Sequence, residues 1–230
     1  MIIGIAGRIG SGKDTVGNII QYLTFCKHYN RTDLSYEDFT NSIGWVPTWE
    51  IKKFAGKLKQ IASLLTGIPV EDFEDQEFKK SYLGAEWGTV ESNPLNAVPV
   101  FEDVAFNHLM SVRELLQKLG TEAIRDGLHP NAWVNALMCE YKRPKMSEYN
   151  PSNWIITDVR FPNELEAVED VKGLTLKVVR PVEKSKTPVR LHPSETSLDK
   201  AEFDYEIIND GSMAELVDKI IDILTIEKII

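Results

Sequence analysis

Apolar positions along the chain recur with two periods, and the change from one to the other falls where glycine or proline interrupts. Residues 1–6 are an unbroken apolar run closed by Gly7, the pattern of a strand buried on both faces. From Asp14 to Cys26 the period becomes helical, with Val16, Ile19, Ile20 and Leu23 on one stripe. The chain therefore opens strand, glycine loop, helix. Residues 27–50 are polar and turn-rich and predict a loop. Residues 52–55 predict a short strand. Residues 56–66 predict a helix with Leu58, Ile61, Ala62 and Leu65 in its stripe, stopped by Gly67 and Pro69. The acidic run 71–77 suits the solvated start of a helix, and 84–100 reads as loop. Ser111 and Glu114 make a capping-box start for a helix over 111–125, with the stripe Val112, Leu115, Leu116, Leu119 and Ala123. Gly127 stops it. Pro130 then opens a helix over 130–142 that buries Trp133, Val134, Leu137, Met138 and Tyr141.

The last third alternates: strand 154–157, helix 162–171, strand 174–179, a polar proline-containing stretch 181–200, strand 205–209 and helix 212–224. Such alternation predicts an α/β fold, a five-stranded parallel sheet with helices on both faces. At 230 residues it is expected to be a single domain.

Composition narrows the class without naming a function. With 43% hydrophobic and 27% charged residues, collagen, coiled coil and bulk disorder are excluded. No apolar run approaches the roughly 18–20 residues that span a bilayer, so no membrane partner is expected. The N-terminal stretch has no basic start ahead of its apolar residues and does not read as a secretory signal. Cys26 and Cys139 lack metal-binding spacing and suit free thiols in a reducing cytoplasm. A net charge of −9 argues against a nucleic-acid polymer as partner, while leaving room for local basic pockets. A homodimer is left open.

The chemistry enters with Gly7-Arg8-Ile9-Gly10-Ser11-Gly12-Lys13-Asp14-Thr15. This is a G-x-x-x-x-G-K phosphate-loop pattern in the right place, after a strand and before a helix. Glycines let successive backbone N–H groups turn inward around an anion, and the helix N-terminus adds partial positive charge. Lys13 supplies a full charge to the β- and γ-phosphates. Gly10, Ser11, Gly12, Lys13, Asp14 and Thr15 are thus the candidate nucleotide contacts. The pattern asks for Ser or Thr directly after the lysine. Here Asp14 stands there and Thr15 one later, an arrangement that points toward small-molecule kinases. Thr15 can offer its hydroxyl to phosphate or metal. Asp14 is either a first-turn acid favoured by the helix dipole or a metal–water contact.

An acidic chain that handles two phosphates must gather positive charge locally. Lys52, Lys53, Lys57 and Lys59 are one such group. Arg113, Gln117 and Thr121, stepping by four, share a helix face. Arg180, Lys184, Lys186 and Arg190 lie in a segment without apolar periodicity, as suits a lid. Asp158 and Arg160 follow the strand 154–157, at the carboxyl edge where ligands bind in such sheets. Asp158 can hold Mg2+ through water and Arg160 can clamp a phosphoryl group; a structural Asp–Arg pair is the alternative. Trp133 and Trp87 could stack on a base, or simply be buried. Nothing generic demands a role for His192 or Glu195.

Read together, these motifs resemble the bacteriophage deoxynucleoside monophosphate kinases. Ser11 to Thr15, Phe54-Ala55-Gly56 with Leu58-Lys59, Ser111-Val112-Arg113 with Gln117 and Gly120-Thr121, Trp133-Val134, Thr157-Asp158-Val159-Arg160 with Glu164, Val179-Arg180-Pro181, His192 with Ser194-Glu195, and Ile208 to Ser212 follow that family's order. The resemblance implies a three-layer P-loop fold in which about 56–150 is a helical acceptor-binding region and about 181–200 a lid-like segment. It implies transfer of the γ-phosphoryl group of ATP to a deoxynucleoside monophosphate, with Mg2+. It places ATP phosphates on Gly10 to Thr15, metal on Thr15 and Asp158, and the acceptor on Arg113, Gln117 and Thr121, with Lys59 and Trp133 beside them. Lys13, Asp158, Arg160 and Arg190 would act on the transferred group. A kinase of another small acceptor, such as phosphomevalonate or dephospho-coenzyme A, and a nucleotide-binding module without transfer are the rival readings.

Overall fold

A computed structural model describes residues 1–42, 44–88, 109–142, 153–181 and 195–230. It divides into two compact units, Met1–Phe54 with Val134–Ile230, and Ala55–Trp133.

The first unit is built on a five-stranded parallel sheet: β1 (Ile2–Ala6), β2 (Trp49–Lys52), β3 (Asn153–Val159), β4 (Leu174–Val179) and β5 (Tyr205–Ile208), in the order β2-β3-β1-β4-β5. β1 is central and wholly buried, which is why its sequence is apolar without alternation. Its side chains still divide by face. Ile3 and Ile5 join α1 (Lys13–Tyr29) and α7 (Met213–Ile226) through Val16, Ile19, Ile20, Leu216 and Ile220. Ile2 and Ala6 join α5 (Ala132–Lys142) and α6 (Pro162–Glu169) through Val134, Leu137, Met138, Leu165 and Val168. Helices thus cover both faces, as the alternation predicts.

Three local expectations change. The second strand is Trp49–Lys52, not 52–55: Trp49 and Ile51 pair with β3, while Phe54 N–H leaves the ladder and donates to Asp158 Oδ1 at 2.8 Å. Within the expected loop 27–50 lies a helix, α2 (Tyr36–Asn41). Ser35 caps it by accepting from Asp38 N, and Tyr36 and Phe39 pack against Tyr22 of α1. Asp158, expected just past its strand, is the penultimate residue of β3, because pairing with β1 continues to Ala6 and Val159. Cys26 and Cys139 are free thiols. Among the described residues no helix is long and apolar enough to cross a membrane.

The second unit holds α3 (Gly56–Thr66), three short 3-10 turns (Val70–Glu74, Phe78–Lys80, Ala85–Trp87) and α4 (Val112–Gln117), which continues without a break as a π-helix over Lys118–Asp126. The acidic run expected to start a solvated helix is one of these turns, pinned by Phe73, which is fully buried. Ala62, Phe73, Leu83, Val112 and Leu115 form its core. Leu65, expected in the buried stripe of α3, is exposed. The α-helical stripe predicted over 111–125 also fails at its far end. Ala123 is exposed, whereas Leu115, Gly120 and Arg125, five apart, are buried. Five is the hydrogen-bond step of a π-helix. Within this stretch the Trp133 indole N–H donates to Gly120 O at 2.8 Å, a side-chain donor on a carbonyl of the backbone ladder.

Candidate active site

The loop between β1 and α1 is shaped by two left-handed glycines, Gly10 (φ 75°) and Gly12 (φ 100°). A β-carbon on Gly12 would stand 2.5 Å from Asn209 Nδ2. That amide, in the turn after β5, donates to Ser11 O at 2.8 Å and fixes the loop from the far side of the sheet order. Ser11 Oγ is buried with no hydrogen-bond partner among the described residues. Its unspent hydroxyl and the concave, glycine-shaped backbone fit an anion carrying several oxygens.

Lys13 opens α1 with its stem buried; its ammonium donates to Gly7 O at 2.6 Å and Arg8 O at 2.8 Å. Burial, and then the nearby Arg160 guanidinium, bring its pKa down to about 8, with Glu195, Asp14 and Asp158 opposing. Asp14 accepts from the buried Thr157 hydroxyl at 2.8 Å and pairs with Lys53 at 3.2 Å. Partial burial would raise its carboxyl pKa; Thr157 and the Lys53 ammonium outweigh it and hold the group below the ordinary aspartate range. Thr15 lies half-buried in the first turn of α1.

β3 carries Thr157 and Asp158 into the same corner, and the chain then turns at Arg160. Glu164 of α6 makes that turn: its Oε2 accepts from Arg160 N at 2.8 Å and Phe161 N at 3.2 Å. The Arg160 guanidinium is ion-paired with Glu195 Oε1, while Glu195 Oε2 accepts from Ile9 N in the glycine loop at 2.7 Å. Arg180 donates to Gly10 O at 3.3 Å, and Arg8 pairs with Asp199 at 2.8 Å.

The first unit therefore brings together Gly10, Ser11, Gly12, Lys13, Asp14, Thr15, Asp158 and Arg160 from two separate stretches of chain. Arg190 and most of the lid-like segment 181–200 lie outside the described residues. Among the described residues no three His, Cys, Asp or Glu side chains cluster to cage a metal. The donor set of Thr15 and Asp158 suits Mg2+ that arrives with nucleotide phosphates, since that ion keeps waters and takes few protein ligands.

In the second unit Arg113, Gln117 and Thr121 are half-buried along the α4–π-helix, and Arg113 donates to Gln76 Oε1 at 3.2 Å. Lys59 is buried and ion-paired with Glu74. Trp133 is only 6% exposed, and its indole N–H is committed to Gly120 O.

Four contributors were not singled out by residue pattern: Asn209, Glu195, Lys53 as the partner of Asp14, and Thr157. Thr157, Glu195 and Asn209 do stand in the motifs quoted above, and that was their only signal.

Comparison with known proteins gives the family. Residues 78–220 match the family described as deoxynucleotide monophosphate kinase. The chain is 28% identical to the deoxynucleoside-5'-monophosphate kinase of Escherichia phage T5, over 91% of this chain and 89% of that protein. It is 32% identical to the deoxynucleotide monophosphate kinase of Enterobacteria phage T4, over 56% of this chain and 58% of that one. With the deoxynucleotide monophosphate kinase of Escherichia phage RB69 it shares 31% identity over 51% of this chain and 46% of that protein.

Proposed function

The chain belongs to the deoxynucleotide monophosphate kinase family, and from that premise we propose how its residues carry out phosphoryl transfer. It is an enzyme that phosphorylates deoxynucleoside monophosphates, which are small-molecule substrates. The donor is ATP, and the residues from Gly10 to Thr15 receive its phosphates. The observation that carries this reading is Lys13, buried at the N-terminus of α1 beneath a glycine-shaped loop, with Arg160 beside it and Asp158 at the carboxyl end of β3.

Little covalent work is asked of the protein. A phosphate oxygen of the acceptor is already a nucleophile at neutral pH, so no side chain need remove a proton. Catalysis is alignment and charge stabilisation. Lys13 leaves its loop carbonyls to meet the donor phosphates. Arg160, held at its backbone by Glu164, offers a planar fork to the equatorial oxygens of the moving group. Arg190 is proposed as a second such cation. When bound, Mg2+ neutralises charge on the phosphate oxygens. Thr15 would hold it through its hydroxyl and Asp158 through water, while Asp14, paired with Lys53 and hydrogen-bonded by Thr157, shapes the first turn.

The helical region 55–133 is the acceptor side. Arg113, Gln117 and Thr121 hold the deoxynucleoside monophosphate. The Lys59–Glu74 pair and Trp133, each already committed to a partner, brace the helices that present them.

The test is an ADP-release assay with Mg-ATP and each of dGMP, dTMP, dCMP and dAMP beside their ribonucleotide counterparts. Turnover dependent on a deoxynucleoside monophosphate is the expected result. ATP binding without acceptor-dependent turnover would sink the mechanism.

A further inference from the structure

We infer that the Glu195 carboxylate is an internal competitor for the phosphate, holding the Ile9 N–H and the Arg160 guanidinium that an incoming phosphoryl oxygen must take over. The inference rests on the phosphate-loop reading above and adds a residue whose part is to be displaced. Glu195 reaches the loop across 186 positions of sequence, so its placement is a product of the fold and not of a local turn. Its side chain is only 12% exposed. One oxygen meets a backbone N–H of the anion-binding loop and the other meets a guanidinium. A carboxylate offers these two donors the same pair of acceptor oxygens that a phosphate does.

Charge gives the arrangement its purpose. Lys13 and Arg160 repel each other across the loop, and Glu195 opposes that repulsion at Lys13. A phosphate brings more negative charge to the same cations, so it can replace the carboxylate without leaving them unbalanced. Glu195 thus keeps Arg160 in register beside the loop, at the expense of affinity for phosphate. It is a positioning residue.

The probe is inorganic tripolyphosphate, titrated calorimetrically at fixed ionic strength into the full chain, its Glu195→Gln variant and its Asp210→Asn variant. Asp210 follows Asn209 and pairs with Lys219, so it supplies a nearby negative charge that holds neither donor. The expected result is about tenfold tighter binding by Glu195→Gln, the worth of one charge-assisted hydrogen bond no longer in competition. Asp210→Asn should stay within about twofold, as befits a screened surface charge. KM for ATP should fall in Glu195→Gln, and its urea midpoint without probe should drop slightly, because a clip between Arg160 and the loop is lost. Equal or weaker binding by Glu195→Gln overturns the inference, as does an equal gain in Asp210→Asn, which would mark a general field. Failure of the unaltered protein to bind tripolyphosphate or ATP would overturn the phosphate-loop reading itself.

Discussion

Replacing Gly12 by alanine isolates the geometry of the anion loop. Two penalties are expected. The left-handed backbone at φ 100° resists a β-carbon by about 1–2 kcal/mol. The new carbon would also stand 2.5 Å from Asn209 Nδ2, which must withdraw and break its bond to Ser11 O. Leaving a buried acceptor unpaired costs about 1–3 kcal/mol. Against this, alanine restricts the unfolded chain and returns about 0.4–1 kcal/mol. The net loss is about 1–5 kcal/mol, read from urea unfolding. Asn209→Ala alone loses the same hydrogen bond and clears the space. In the double variant the bond is lost only once, so its penalty should fall about 1 kcal/mol or more short of the sum of the singles. Strictly additive penalties would refute the idea that the Asn209 amide is what excludes a side chain at position 12. Loss of nucleotide binding without loss of stability would locate the whole effect at the ligand.

Three further outcomes follow from the site. Because the folded pKa of Lys13 is about 8 and its unfolded value 10.5, the unfolded chain binds the extra proton between those values, so stability should rise with pH across that window, by at most about 3 kcal/mol; Lys13→Met should lose this rise in pH-dependent urea unfolding, and an unchanged slope would show that Lys13 is not responsible. Arg160→Ala should cut turnover about 10²–10³-fold while weakening ATP binding far less, measured by steady-state kinetics and calorimetry; a loss of binding as large as the loss of turnover would make it a ground-state contact alone. Trp133→Phe removes the indole donor to Gly120 O and should cost about 1–2 kcal/mol, with faster amide exchange concentrated over 118–126; unaltered exchange would show that the π-helix does not depend on that bond.

How far the sequence could be read depended on the distance over which each feature is determined. β1, α1 and the loop between them rest on neighbouring residues, and the glycine spacing announced them. The cap at Ser111, whose hydroxyl accepts from Glu114 N, is equally local. β2 was misplaced because its apolar pair, Trp49 and Ile51, is short and borders the genuinely buried Phe54, which leaves the sheet for Asp158. The π-helix could not be read from an α-helical stripe, and the indole that meets its Gly120 carbonyl comes from 13 positions further on. Asp158 and Arg160 were placed at the site by strand-end reasoning, whereas the Glu195 and Asn209 contacts join segments 186 and 198 positions apart, beyond any local pattern.

The strand order also bears on how the chain is made. Both neighbours of the central β1 come late, with β3 beginning at Asn153 and β4 at Leu174. A ribosome adding roughly 5–20 residues per second needs about 8–30 s to pass from β1 to β3. Throughout that interval five consecutive core residues, Ile2 to Ala6, have no strand to pair with. They form the sort of β-prone, uncharged segment that invites association between nascent chains. Yield in a cell should therefore depend on chaperones that hold early segments, and slower translation should lower it by lengthening that interval.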